Sequence, residues 1–239
     1  MQEIATDSHY KLSDAKYPII FEYVGQDTAV VKIAVNDGKA IKNDLIYGSV
    51  SGKKVDEDGN ALGGAMIGLF RTDDGEFTKE NALMTTTSAE EGSFSFENIP
   101  CGTWYVREIE QPTGFVLDDT IYPVTIGTDG QVVEIEIVNE YGRGNIHLTK
   151  VDSEYPDNKL TGAVFEVYKD SNNNGKLDDS DELLGTLTEK EIGEYGMNDL
   201  FYGRYFIKET KAPDGFELDK GVYSVFIEKD ETTYEVENK

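Results

Sequence analysis

Cysteine is nearly absent. Cys101 is the only one, so no disulfide forms within the chain. Histidine is almost as scarce: His9 and His147 stand alone, and neither joins a serine, a cysteine or a metal-ligand cluster, which argues against hydrolytic and metal-centred catalysis. No apolar run is long enough to span a bilayer. No signal peptide is legible at Met1 and no sorting signal at Lys239, so any export or anchoring address is expected outside these residues. Positive charge is short as well: 22 Lys and Arg stand against 47 Asp and Glu, a net charge of -25. Such a surface repels phosphate backbones and anionic lipid headgroups, which excludes nucleic acid and membrane as natural partners.

The 239 residues suffice for two domains of about 100 residues and a remainder. The strand-rich, Tyr- and Thr-rich composition has an extracellular look, so something other than disulfides is expected to brace the domains. Cys101 itself lies in the turn-like ENIPCGTW and reads as an inert small residue.

Self-comparison reveals a repeat. GSVSGKKVD from Gly48 matches GNIHLTKVD from Gly144, 96 residues later. ALGGAMIGLF (61–70) then matches KLTGAVFEVY (159–168), GSFSFENIPCGTWYVREIEQPTGFVL (92–117) matches GEYGMNDLFYGRYFIKETKAPDGFEL (193–218), and VEIEIVNE (133–140) matches TTYEVENK (232–239). Residues 3–47 match only the back half of this unit, with EIATDSHYKLSDAKYPI aligned to EIEQPTGFVLDDTIYPV from Glu108. The expected organisation is a partial repeat over 1–47 and complete repeats over 48–141 and 142–239. Within each, short alternating runs such as VEIEIV and YFIKE are broken by Gly, Pro, Asn and Asp, the pattern of an all-β sandwich. DDSDELLG (178–185) is the one stretch expected to form a turn of helix.

Period-two alternation assigns each strand residue a face. Lys54 continues the face of Val50 and Gly52, and Lys150 that of Ile146 and Leu148, whereas Lys53 turns outward. Glu108 continues the face of Trp104 and Val106, and Glu209 that of Tyr205 and Ile207. Asn139 follows Val133, Ile135 and Ile137; Asn238 follows Tyr234 and Val236. Taken singly, a Lys at a strand end snorkels to water and an Asn caps a turn. Recurring as a set on apolar faces, the three aim an amine, a carboxyl and an amide at each core, where lone charges are costly and find partners or neutralise.

These residues resemble the Cna-B or SpaA-type domains of Gram-positive pilins and surface adhesins. KVDEDGNALGGAMIGLF and KVDSEYPDNKLTGAVFEVY are similar to that family's opening motif, REIEQPTGF and KETKAPDGF to its E-x-x-x-P-x-G-aromatic motif, and IVNE and VENK to its closing Asn. The resemblance implies tandem immunoglobulin-like, prealbumin-like β-sandwiches. It also implies intramolecular Lys–Asn isopeptide bonds, Lys54 to Asn139 and Lys150 to Asn238, with Glu108 and Glu209 as the catalytic proton shuttles. Formation is a single turnover, so the chain is expected to be no enzyme. Residues 1–47 supply Glu3 and Asn43 without a matching lysine, and no bond is expected there.

A second motif stands in the last repeat alone. DSNNNGKLDDSD (170–181) reads as an EF-hand-like loop, with Asp170, Asn172 and Asn174 at positions 1, 3 and 5, Gly175 at 6, the Lys176 carbonyl at 7, Asp178 at 9 and Asp181 at 12. Ca²⁺ is the expected ion. A polar Asn-rich hairpin is the alternative, and Asp in place of Glu at position 12 departs from the pattern.

The leading expectation for function is a stalk or spacer of a cell-wall-anchored surface protein, with adjoining repeats of the same protein as partners. A ligand-binding module for a host matrix protein or glycan comes second. The single tryptophan, Trp104, is on the inward face, which leaves no exposed aromatic platform of that kind.

Overall fold

The computed structural model describes residues 1–20, 25–26, 35–229 and 233–238; for the last of these spans it gives the backbone and not the side chains. Apart from one 3-10 turn at Asn36–Gly38, the regular structure among the described residues consists of strands. In order these are β1 (Tyr47–Asp56), β2 (Met66–Phe70), β3 (Met84–Thr87), β4 (Ser93–Pro100), β5 (Gly102–Glu110), β6 (Tyr122–Ile126), β7 (Val132–Asn139), β8 (Arg143–Lys150), β9 (Val164–Lys169), β10 (Glu182–Thr186), β11 (Thr188–Glu191), β12 (Glu194–Phe201), β13 (Gly203–Lys211), β14 (Val222–Ile227) and β15 (Thr233–Asn238).

The chain divides into two compact units. The first holds Met1–Val55, Ala61–Glu110 and Asp119–Ile137; the second holds Asp56–Asn60, Gln111–Asp118 and Val138–Lys239. In the first, a sheet ordered β4-β1-β7 and one ordered β3-β2-β5-β6 enclose a core of Val50, Ile67, Leu69, Phe94, Phe96, Ile99, Trp104, Val106, Val124, Ile126 and Ile137. In the second, sheets ordered β11-β12-β8-β15 and β10-β9-β13-β14 enclose Ile146, Leu148, Phe165, Val167, Tyr195, Tyr205, Ile207, Val225 and Ile227. Each side chain of this type contributes about 1.5–3 kcal/mol when fully buried. Two sheets closing on one apolar layer are the sandwich expected from the alternation.

Alternation and burial coincide along β1. Lys53 is exposed, while Val50, Gly52 and Lys54 are buried. Gly52 interrupts the apolar face because the Phe94 ring lies over it; a Cβ there would sit 2.0 Å from the ring. The two complete repeats also bend alike. Asn98 in β4 and Asp199 in β12 occupy matching positions and both take positive φ, 56° and 62°, a conformation that Asn and Asp tolerate better than most residues. Around Asp199 the pairing of β12 with β8 slips between Met197 and Leu200, a bulge that re-aims the strand end.

The expected helical turn at DDSDELLG does not form. Glu182–Thr186 is β10, with Glu182 opposite Lys169 and Leu183 opposite Tyr168 of β9. A free sheet edge on β9 overrides the weak local preference of an acidic, leucine-containing run.

Candidate functional site

Three strands of each repeat carry the site, and the topology makes the first strand a neighbour of the last. In the second unit β15 runs parallel to β8, with Tyr234 level with Ile146, Val236 with Leu148 and Asn238 with Lys150. Lys150 is 3% exposed and Glu209, on β13 in the facing sheet, 1%. Their side chains meet, with Lys150 Nζ 3.2 Å from Glu209 Oε1. Burying such a pair is tolerated only because each charge compensates the other; removing one partner typically costs about 3–5 kcal/mol. The side chain of Asn238 lies outside what the structure describes.

In the first complete repeat β1 is flanked by β7. Lys54 is fully buried, and its ammonium donates to the carbonyls of Ile137 at 3.1 Å and Val55 at 3.3 Å. Glu108 is 1% exposed and stands opposite Ile67 of β2. Asn139 is equally buried, with its Nδ2 donating to the Val116 carbonyl at 2.5 Å.

The partial repeat shows the same acid and amide in contact. Asn43 Nδ2 donates to both carboxylate oxygens of Glu3, at 2.8 and 2.9 Å, and to Thr6 Oγ1 at 2.7 Å. Glu3 Oε2 also accepts the backbone N–H of Ser13 at 3.0 Å. The Ser13 bond first and the Asn43 bonds second hold the Glu3 carboxyl below the usual carboxylate range.

Alternation did not foresee the setting of Glu209. Its Oε2 accepts the backbone N–H of Asp219 at 2.7 Å, and Asp219 in turn accepts from Gly221 N–H at 2.7 Å and from the Tyr223 hydroxyl at 2.5 Å. Burial, then the Asp219 bond, pushes the Tyr223 hydroxyl up to about 12. The available signal was recurrence: Asp118 and Tyr122 stand at the same spacing after Glu108.

The loop at 170–181 gathers its polar residues. Asp170 is buried and accepts the backbone N–H groups of Asn174 and Gly175, with Arg204 Nε 3.5 Å away. Asp181 accepts from Ser171 N–H and Asp178 N–H. Asn172 and Asn174 turn their Nδ2 groups to Asp178, whose carboxyl is held well below its ordinary range by Ser180 first and the two asparagines after. The oxygen donors suit a hard cation, but in this arrangement the loop satisfies itself through its own N–H groups. No group of three or more His, Cys, Asp or Glu among the described residues has metal-site geometry. His147, outward as its alternation requires, pairs with Glu194 at 2.8 Å and takes no part in the site. Trp104 is 5% exposed, its indole N–H bound to the Pro100 carbonyl.

A model of the SpaA prealbumin-like fold domain matches residues 48–141 and again 144–239. The chain belongs to this family. Among solved structures, the Bacillus anthracis TIE protein is similar at 26% identity with a TM-score of 0.69, over 82% of this chain and 34% of that one. The chain thus spans about a third of that protein's length. A streptococcal ancillary pilin matches at 25% identity and a TM-score of 0.40, over 90% of this chain and 73% of that one. The shaft pilin SpaA of Lactobacillus rhamnosus GG matches at 14% and 0.35, over 77% and 96%. Among curated proteins none matches. No helix among the described residues is long and apolar enough to cross a membrane.

Proposed function

We propose that this SpaA-family chain is a stalk or spacer segment of a Gram-positive surface protein or pilin, working outside the cell, whose repeats are locked by autocatalytic Lys–Asn amide bonds. The observation that carries it is the buried Lys150–Glu209 pair at 3.2 Å on a strand whose Lys150 is level with Asn238. The chemistry balances without a cofactor. Glu209 takes a proton from the Lys150 ammonium, the freed amine attacks the Asn238 side-chain carbonyl carbon, and the Nζ–C bond forms. Glu209 returns the proton to the departing nitrogen, the C–Nδ2 bond breaks and ammonia leaves; the second proton of Nζ passes to the freed carboxylate and on to the ammonia, so the net release is ammonium. Lys54, Glu108 and Asn139 take the same roles in the preceding repeat. Each site turns over once, so the chain is a substrate of its own reaction and no enzyme.

The mechanical consequence follows from the sheet order. With the first strand beside the last, the amide carries tension past the strand hydrogen bonds, and unlike a disulfide it resists reduction. The partners in this role are adjoining repeats of the same protein. Intact mass spectrometry tests the proposal directly: the chain should weigh two ammonia molecules less than its sequence, and the sequence mass itself would sink it.

We propose also that the loop at 170–181 takes one Ca²⁺ through Asp170, Asn172, Asn174, the Lys176 carbonyl, Asp178 and Asp181, after the asparagine amides turn their oxygens inward. The convergence of Asn172 and Asn174 on Asp178 supports it.

A further inference from the structure

The two oxygens of Glu209 have different surroundings. Oε1 faces the Lys150 ammonium, 3.2 Å away. Oε2 accepts the backbone N–H of Asp219, ten residues further on, at 2.7 Å. That N–H is aimed by the Asp219 side chain itself, which bridges forward to the Gly221 N–H and to the hydroxyl of Tyr223 on β14. The same construction appears in the partial repeat with a different residue. Ser13, ten residues after Glu3, gives its N–H to Glu3 Oε2 at 3.0 Å and accepts the Ala15 N–H on its own Oγ at 3.2 Å. A short polar side chain that folds back on the N–H two residues ahead is the shared element, an Asx or Ser turn. In the first complete repeat Asp118 and Tyr122 stand at the matching positions.

We infer that Asp219 is a positioning residue for amide formation: its turn pins a backbone N–H on Glu209 Oε2 and reserves Oε1 for the proton that leaves Lys150. This rests on the proposed amide chemistry and adds a second requirement to it. A terminal carboxyl torsion is broad, so an unpinned Glu rotates either oxygen, or neither, toward the amine. With one oxygen held, proton uptake and return occur at a single atom facing the nucleophile. Other titratable groups near this end are the neutral Tyr223 behind Asp219, and Asp152, Glu154 and Glu217 around the opening over Lys150.

The test is a time course of ammonia loss in the freshly synthesised full chain across a range of pH, with peptide mapping to separate the two bonds. Asp219→Ala should slow Lys150–Asn238 formation roughly tenfold or more and shift its pH profile, leaving Lys54–Asn139 formation as in the parent. Asp219→Ser, which installs the side chain that Ser13 uses, should restore both rate and profile. Tyr223→Phe, which keeps the core and removes only the hydroxyl, should slow the reaction less than Asp219→Ala. If the parent chain cross-links and Asp219→Ala does so with unchanged rate and profile, or if Asp219→Ser is as slow as Asp219→Ala, the inference is overturned while the proposed function stands. A parent chain that loses no ammonia overturns the proposed function itself.

Discussion

Replacing Glu209 by Gln separates the cross-link from the fold. The amide keeps the shape of the carboxyl and can still accept the Asp219 N–H, but it takes no proton from Lys150. The variant should therefore fall short of its own sequence mass by one ammonia, where the parent falls short by two. Its stability loss has two parts. Lys150 and Asn238 lie about 90 residues apart in sequence, and closing a loop of that length restricts the unfolded chain by about 4.5 kcal/mol at room temperature in the entropic account of cross-links. The Lys150 ammonium, 3% exposed, also loses its counter-charge, a further cost of about 3–5 kcal/mol. Together these approach the whole stability of a domain, about 5–15 kcal/mol, so the last repeat of Glu209→Gln should melt far below the first. Asn238→Ala isolates the first part, because it removes the acceptor and keeps the ion pair; its Tm should fall on the order of 20 °C or more. Intact mass paired with differential scanning calorimetry reads both quantities. A Glu209→Gln chain that still lacks two ammonia molecules refutes the shuttle, and an Asn238→Ala chain that melts with the parent refutes the cross-link.

Calorimetric titration should give one calcium isotherm that Asp170→Ala abolishes, and a flat trace for the parent would remove the metal from the loop. Alkaline titration followed by tyrosinate absorbance should find Tyr141, Tyr205 and Tyr223 ionising near pH 12. The Asp56 bond is the main cause for Tyr141, and burial for the other two. Because folding raises these values, their contribution to stability is complete below the free-phenol pKa of about 10 and is lost as pH climbs toward 12. A titration with no step near pH 12 would contradict this. Gly52→Ala should destabilise the first repeat by about 1–3 kcal/mol through collision with Phe94, measured as a lowered denaturant midpoint; an unchanged midpoint would show the ring moves freely.

The legible part of the site was the part governed by period two. Lys54, Glu108, Lys150 and Glu209 are buried where alternation put them, and Lys53 is exposed beside Lys54, because a half-buried strand has no other way to place its side chains. The Asp219 turn was illegible for the opposite reason. It is a loop whose side chain bonds its own backbone, and Asp-Lys-Gly carries no period; only its recurrence as Asp118 and Ser13 marks it. The strand at 182–186 was misjudged because its pairing depends on β9, a partner remote from the local run. Gly52 gives no hint in sequence that the Phe94 ring covers it, since that contact is made across the β1–β4 pair.

The partial repeat shows the acid, the amide and the turn of the site held together. Glu3 and Asn43 hydrogen-bond through both carboxylate oxygens, and Ser13 supplies the same N–H that Asp219 supplies to Glu209, so acid, amide and turn are assembled there. In the complete repeats a lysine stands on the adjoining first strand, buried deeply enough that its charge must be met by a neighbour. At Glu3 both carboxylate oxygens accept N–H donors, and those bonds hold its carboxyl below the usual range. On the proposed chemistry, then, the lysine is more than the nucleophile. Its buried ammonium faces one oxygen of Glu209 while the Asp219 N–H holds the other, so it also fixes the atom at which the proton is taken up.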